Sequence, residues 1–317
     1  MISNTRAFLH KYIFNLANLF FVLTLVCFLF PSRYALTRME GLKSPVPFLV
    51  LLCFIEIYFI FQLTRQTRQN DSRAIHDIAN FVFIVLFIWE LFVTRLDVYP
   101  IIFIPSPENV FAVFIDDRIK MLLGLVNSLL LLVVGISTSL VCGVILGTFV
   151  GWNPRLTKAI YPIAKAISTV PALVYTPYVI LIMPTFRSAS IFVIFLSGFW
   201  STFMGSINNT AFVEKKVINS AKVLSLSTPT ILFKIIIPFN LPRIINNLPI
   251  KISAAIMTLT AAEMLGADNG IGFYIRNALN FGNYTKAIAG IFFMGFLVAG
   301  LNAGVSILKK RFIKWSY

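Results

Sequence analysis

Apolar runs of bilayer-crossing length recur along this chain of 317 residues, and its charged residues gather in short clusters between them. A helix needs about 20 mostly apolar residues to cross the hydrocarbon layer. Eight windows meet that need, at roughly 12 to 30, 46 to 63, 78 to 103, 121 to 151, 159 to 183, 189 to 211, 244 to 265 and 286 to 308. The expected fold is therefore an all-α polytopic membrane protein with about eight transmembrane helices. The fourth window exceeds what a bilayer requires, which predicts a tilted helix or one that begins at the interface.

Composition excludes the main alternatives. Hydrophobic residues make up 58% of the chain and charged residues 12%, against about 25% charged in soluble domains. The net charge of +15 does not point to nucleic acid, because the basic residues lie between apolar runs and not along one face. Cys27, Cys53 and Cys142 all fall inside apolar runs without metal-ligand spacing, and read as small packing residues. Arg6 and Lys11 precede an apolar run that ends in Phe28, Leu29, Phe30 and Pro31. With no small-residue cleavage site there, an uncleaved anchor is expected.

Lysine and arginine set the topology, since loops kept in the cytoplasm carry the excess. With a cytoplasmic N-terminus, the inner side holds 15 of them: Arg6 and Lys11; Arg65, Arg68 and Arg73; Arg155 and Lys158; Lys215, Lys216, Lys222 and Lys234; Lys309, Lys310, Arg311 and Lys314. The outer side holds seven, at Arg33, Arg38, Lys43, Arg118, Lys120, Arg187 and Arg276, beside the acids Glu40, Glu108, Asp116, Asp117 and Asp268. Eight spans place both termini in the cytoplasm.

The largest inner loop, 212 to 243, mixes Lys215 and Lys216 with Ser225, Ser227, Thr228 and Pro229 before the apolar run from Ile231 to Ile237. Short helices flanking a Ser/Thr/Pro turn are predicted, with Ser227 or Thr228 capping the second and Pro229 in its first turn. Such a loop is a docking feature.

From about Ile104 onward, several landmarks occur in a recognisable order. They are Pro105-Ser106-Pro107 with Val110, Asn127-Ser128-Leu129 at the start of a long helix, Pro171 and Pro177, and Ala262-Glu263-Met264-Leu265-Gly266 followed by Gly270-Ile271-Gly272 and Ile275. Together these resemble the permeases of binding-protein-dependent ABC importers, in the nitrate, taurine and sulfonate branch. The loop resembles that family's coupling motif in degenerate form: Asn219, Ser220 and Ala221 stand in its Glu-Ala-Ala positions, Ser225 in its glycine position, and Ile237-Pro238 at its close.

The resemblance implies a type I ABC importer permease core over 78–317, with 1–77 as an accessory region of two spans. It implies a multi-pass protein of the cell inner membrane that binds no cofactor itself. ATP and Mg would be used by partner ABC ATPase subunits, and solute would come from an extracytoplasmic substrate-binding protein. A second permease copy or a related permease would complete a homo- or heterodimer in membrane lipid, the latter leaving the partner to keep the intact motif.

Other residues speak without the family. Gly135, Ser139, Gly143, Gly147 and Gly151 recur every four positions and form a small-residue stripe, a helix-packing surface or a solute-lining face; Gly300 and Gly304 repeat the spacing once as a packing pair. Glu56, Glu90 and Glu263 lie within spans, where an ionised group costs about 2.5–3.5 kcal/mol on insertion scales. Glu90 reads as a polar cluster with Arg95 and Asp97. Glu263 either holds the glycine-rich reversal after it through backbone N–H groups or serves as a gate beside Gly266. Pro171, Pro177 and Pro184 interrupt one span that also carries Thr169, Tyr175, Thr176 and Tyr178. That span is a pathway wall or a kinked element of a packed bundle.

No G-x-x-x-x-G-K-S/T loop is present to cradle phosphates, and the two histidines, His10 and His76, flank spans. The chain is expected to be a pore subunit with no catalytic residue, no metal site and no enzymatic activity of its own. The rival readings are a secondary transporter or channel, which needs its own ion-coupling groups and often inverted repeats, and a non-transporting membrane scaffold derived from a permease.

Overall fold

The computed structural model describes residues 15–30, 32, 41–65, 69–98 and 104–312. Arg6, Lys11, Arg33, Arg38, Glu40, Arg68 and Lys314 lie outside the described residues, as do the ends of the first and third apolar windows. The described elements are all helical. They are α1 (Leu16–Cys27), α2 (Val46–Arg65), α3 (Gln69–Trp89), α4 (Pro107–Asp116), α5 (Arg118–Trp152), α6 (Pro154–Ser168), α7 (Ala172–Ile182), α8 (Phe186–Ala211), α9 (Lys215–Val223), α10 (Thr228–Ile231), α11 (Ile237–Asn246), α12 (Leu248–Gly266), α13 (Ile271–Asn280) and α14 (Tyr284–Phe312). π-helical turns at Glu90–Arg95 and Leu232–Ile236 extend α3 and join α10 to α11.

Seven described helical stretches are long and apolar enough to cross a membrane, and a bent pair makes an eighth; the seven include Thr228–Asn246, which the sequence places in the inner loop 212 to 243, and do not include α1, whose described helix has 12 residues. That pair corrects the window 159 to 183. It is two helices, Pro154–Ser168 and Ala172–Ile182, meeting at 90°. Pro171 has no N–H for the helical ladder and pushes Val170 out of the helical region, so the chain turns there. The fourth window is one continuous helix of 35 residues, α5. Its start at Arg118 puts Asn127 and Ser128 inside the helix and not at its beginning.

Chain punctuation follows local chemistry. Ser106 caps α4 by accepting the Asn109 N–H at 3.3 Å, with Pro107 in the first turn. Asn153 caps α6 through the Arg155 and Leu156 N–H groups, with Pro154 following. Thr185 and Ser188 close a reciprocal capping box on α8.

The chain packs as two units. One comprises residues 1–118 with 278–289, the other 119–277 with 290–317. This division follows packing, whereas a boundary at 77 follows the landmarks in the sequence.

In the first unit, Phe48, Leu52, Leu63 and Phe83 are fully buried between α1, α2 and α3, and Phe48 stacks on Phe111 of α4 at 5.6 Å. Glu90 and Arg95 pair at 2.6 Å. An i,i+5 pair diverges on an α-helix, but the π turn brings the two onto one face. The second carboxylate at Arg95 is Glu108, at 3.5 Å, and the Thr94 hydroxyl lies within hydrogen-bonding distance of both glutamates. Glu108, and not the expected Asp97, completes that cluster. Burial raises the Glu108 carboxyl above the usual carboxylate range, against the lowering effects of its backbone hydrogen bond, Arg95 and Thr94.

In the second unit, Leu132, Ile194, Ala255, Leu259 and Ile271 form the core between α5, α8, α12 and α13. Cys27 is buried, whereas Cys53 and Cys142 are exposed, so the latter two are not packing residues within this chain. Gly300 and Gly304 likewise face open space.

Candidate functional site

The small-residue stripe of α5 lies on α8, and the two helices run in the same direction in constant register. A Cβ on Gly135 would meet Ile194, one on Gly143 would meet Thr202, one on Gly147 would meet Ser206, and one on Gly151 would meet Thr210. Ser139 fills the remaining place against Gly198. Without side chains the two backbones come close enough for extensive van der Waals contact, which holds helices together where the hydrophobic effect is absent.

At one end of α12 the chain reverses through Gly266 to Gly272. The Glu263 side chain is fully buried there. Its Oε1 accepts from the Ser128 hydroxyl at 2.6 Å and its Oε2 from the Gly272 N–H at 2.7 Å, while Ser128 Oγ accepts the Ile271 N–H at 3.1 Å. One carboxylate thus ties α5, α12 and the start of α13 together. Gly270 has φ +109°, and a Cβ there would collide with that carboxylate. Arg276 donates to the Met264 and Ala267 carbonyls at 3.1 and 2.7 Å, closing the exposed end of α12. Gly266 packs on Ile180 and Phe186, neighbours at 3.3 Å from a Cβ placed there.

Two cavities follow one another along α8 and α12. The larger, of about 480 Å³, is lined by Pro171, Tyr175, Ser197, Trp200, Met257 and Thr258 among others. The next, of about 230 Å³, shares Ser201 with it and reaches Asn209, Arg243 and Lys251. Of the pathway candidates, Pro171 and Tyr175 line the first cavity. Thr169 turns its hydroxyl back to the Ala166 carbonyl at 2.7 Å, and Pro177 sits within α7. Neither lines a cavity described here, nor do Glu263 and Gly266. In the sequence, Lys251 and Ser128 carried weaker signals: a cation within an apolar span, and a serine that becomes informative only once a partner helix is known.

Beyond α8 the chain forms an elbow. Ala221 of α9 is buried with Val213, Ile231, Leu232 and Ile236. The helix ends in a double backbone clasp, Leu226 N–H to the Ala221 carbonyl at 3.1 Å and Ser225 N–H to the Lys222 carbonyl at 2.9 Å, with Ser225 at φ +53°. This is a Schellman closure, whose left-handed position glycine ordinarily fills. Asn219 and Ser220 lie on the exposed side of α9. Ser227 precedes α10 and its hydroxyl pairs with that of Thr230 at 2.8 Å. Pro238 lacks an N–H, and the ladder just before it widens into the π turn, with the Ile237 N–H reaching the Leu232 carbonyl. At the elbow's tip Val223 and Leu224 are 85% and 72% exposed.

These features define an all-helical, multi-pass membrane protein with an elbow between two of its long helices. Residues 139–315 match the profile of the binding-protein-dependent transport system inner membrane component, and the chain belongs to that family. It is 31% identical over 180 residues to the nitrate import permease protein NrtB of Leptolyngbya laminosa, covering 57% of this chain and 64% of that protein. It is 32% identical over 177 residues to the bicarbonate transport system permease protein CmpB of Synechocystis, covering 56% and 63%. The chain thus spans less than two thirds of the length of these two relatives. Against the taurine transport system permease protein TauC of Escherichia coli it is 25% identical over 241 residues, covering 73% and 86%. Among solved structures, a chain of the inward-facing MetNI methionine ABC transporter shares the fold, with a TM-score of 0.55 at 16% identity over 62% of this chain and 97% of that one.

Proposed function

We propose that this permease moves a small solute inward by alternating access, receiving it from an extracytoplasmic binding protein and moving when separate ATPase subunits close on ATP. The relatives are named for nitrate, bicarbonate and taurine, which are small charged solutes. Residues 78–317 act as the permease domain and 1–77 as an accessory region, in a homo- or heterodimer with both termini in the cytoplasm.

The observation that carries this reading is the elbow. Its inner face is tied down by Ala221 and the backbone clasp, while Val223 and Leu224 project at the tip, uncovered among the described residues. A rigid lever with an apolar tip transmits a push from a docked partner to α11 and α12, and so to the cavity walls, as a rigid-body displacement. Asn219, Ser220, Ala221, Ser225 and Pro238 shape the lever, and the two tip residues contact the ATPase.

Leu224→Asp tests this. The substituted chain should reach the membrane in normal amount and lose its co-purifying ATPase subunits. Undiminished co-purification and uptake would count against the docking role.

A further inference from the structure

The second packing unit is short of carboxylates. Residues 119–277 and 290–317 contain sixteen lysines and arginines but three acids, Glu214, Glu263 and Asp268. Glu263 is committed to the glycine reversal. Two of the cations, Lys251 and Arg243, converge on the 230 Å³ cavity beside α8, and neither has an ion-pair partner among the described residues.

The groups around them carry no negative charge. Lys251 Nζ donates to Thr202 Oγ1 at 2.5 Å, and that hydroxyl passes its own hydrogen to the Gly198 carbonyl at 2.8 Å. An ammonium has three N–H donors, so two remain. Arg243 Nη1 donates to Asn209 Oδ1 at 3.2 Å and its guanidinium lies 5.3 and 5.8 Å from the Phe212 and Phe239 ring centres, contacts that leave other guanidinium N–H groups and the Asn209 amide N–H₂ as donors. The Ser206 hydroxyl, on a residue 1% exposed, has no hydrogen-bond partner among the described residues although it lines this space. Asn247 adds a second amide. A cation inside a span is costly by itself, and such residues commonly mark ion pathways. Here the missing partner is negative and small. At about 30 Å³ for each water, the cavity holds several water molecules or one compact oxyanion.

We propose that this cavity is an anion site of the permease itself, holding a small free oxyanion between Lys251 and Arg243, with Ser206 and Asn247 as further donors. The proposal rests on the transport reading above and deepens it: the site stands on the far side of the 480 Å³ cavity from α7, at the end of α8 that leads to the elbow. A second source of the same chemistry is an anionic lipid headgroup, and the test separates the two.

The full chain, purified in an uncharged detergent, is unfolded by heat in increasing sodium nitrate and in sodium gluconate at matched ionic strength. A ligand that binds only the folded state stabilises it with the logarithm of its concentration. The melting temperature should rise with nitrate above the gluconate baseline, the rise should disappear in Lys251→Met and shrink in Arg243→Gln, and Lys251→Arg should retain it. If Lys251→Met yields no folded protein, Arg243→Gln decides the matter. An equal nitrate response in wild type and both neutralised variants overturns the proposal. So does the absence of any nitrate-specific rise, or stabilisation by phosphatidylglycerol alone, which assigns the cations to lipid. The measurement needs no ATPase, so a failure of the transport reading appears separately, as loss of ATPase co-purification with the wild-type chain.

Discussion

Gly270 lies against Glu263 with a backbone φ of +109°, so that the residue most tolerant of that conformation abuts the carboxylate that ties α5, α12 and α13 together. Both the conformation and the contact exclude a side chain. Gly270→Ala should therefore destabilise, and by more than the about 1 kcal/mol that the same change gains at a compatible site. Glu263→Gln keeps the shape and loses the charge-assisted bonds, which are worth about 1.5–3 kcal/mol each. Thermal unfolding in detergent of these two variants, with Ser128→Ala and the Ser128/Glu263 double variant, checks the point. Non-additive losses are expected, because both residues serve one network.

The α5 stripe predicts an asymmetry among glycines. Gly147→Val forces a side chain into Ser206 and the Phe203 carbonyl, and overpacking of that kind costs about 1–3 kcal/mol. Gly300→Ala points into open space and should be neutral or stabilising by up to about 1 kcal/mol. Melting temperatures of the two variants should move in opposite directions or diverge clearly.

Ser225 holds a left-handed conformation at the Schellman position of the elbow. Ser225→Gly relieves that strain and should stabilise the elbow by about 1 kcal/mol, whereas the β-branched Ser225→Val should destabilise it. Protease sensitivity of the segment 215–231 reports the change, with slower cleavage expected for the glycine variant.

The Glu90, Arg95 and Glu108 cluster predicts both a mutational and a pH effect. Arg95→Leu strands two buried carboxyls, and breaking a buried pair in this way costs about 3–5 kcal/mol. Burial raises the Glu108 carboxyl, so the folded state keeps a proton that the unfolded chain has released. Its stabilising contribution is complete below the unfolded carboxylate range and is lost as pH rises through the raised folded value. Glu108→Gln should flatten that part of the stability-against-pH curve.

Spans were readable from apolar length because hydrocarbon imposes a length on any crossing helix, and α2, α5, α8, α12 and α14 follow the windows closely. The right-angle break at Pro171 was readable only as three prolines, since proline marks where a ladder is interrupted and not how far the chain then turns. Glu263 stood out through the cost of an acid in a span. Ser128, which completes its network, is 135 positions away along the chain, and no local pattern connects them. The glycine stripe showed its own face, but the partner helix depends on packing. Lys251 bears the same cost as the glutamates, yet its meaning comes from Thr202, Ser206 and Arg243, which only the fold assembles. The π turn at Glu90–Arg95 changed the angular period of the helix, and so brought residues five apart together where α-helical spacing sets them apart.

If the driving force reaches this chain through a cytoplasmic elbow, a reagent confined to one side of the membrane reports where its tip lies. With Cys27, Cys53 and Cys142 replaced by serine, a single Leu224→Cys variant is exposed to a membrane-impermeant maleimide. Labelling is expected in inverted vesicles, none in intact right-side-out cells, and protection of the inverted sample when ATPase subunits are bound. Labelling in intact cells would place the elbow on the outer side of the membrane, out of reach of any cytoplasmic ATPase.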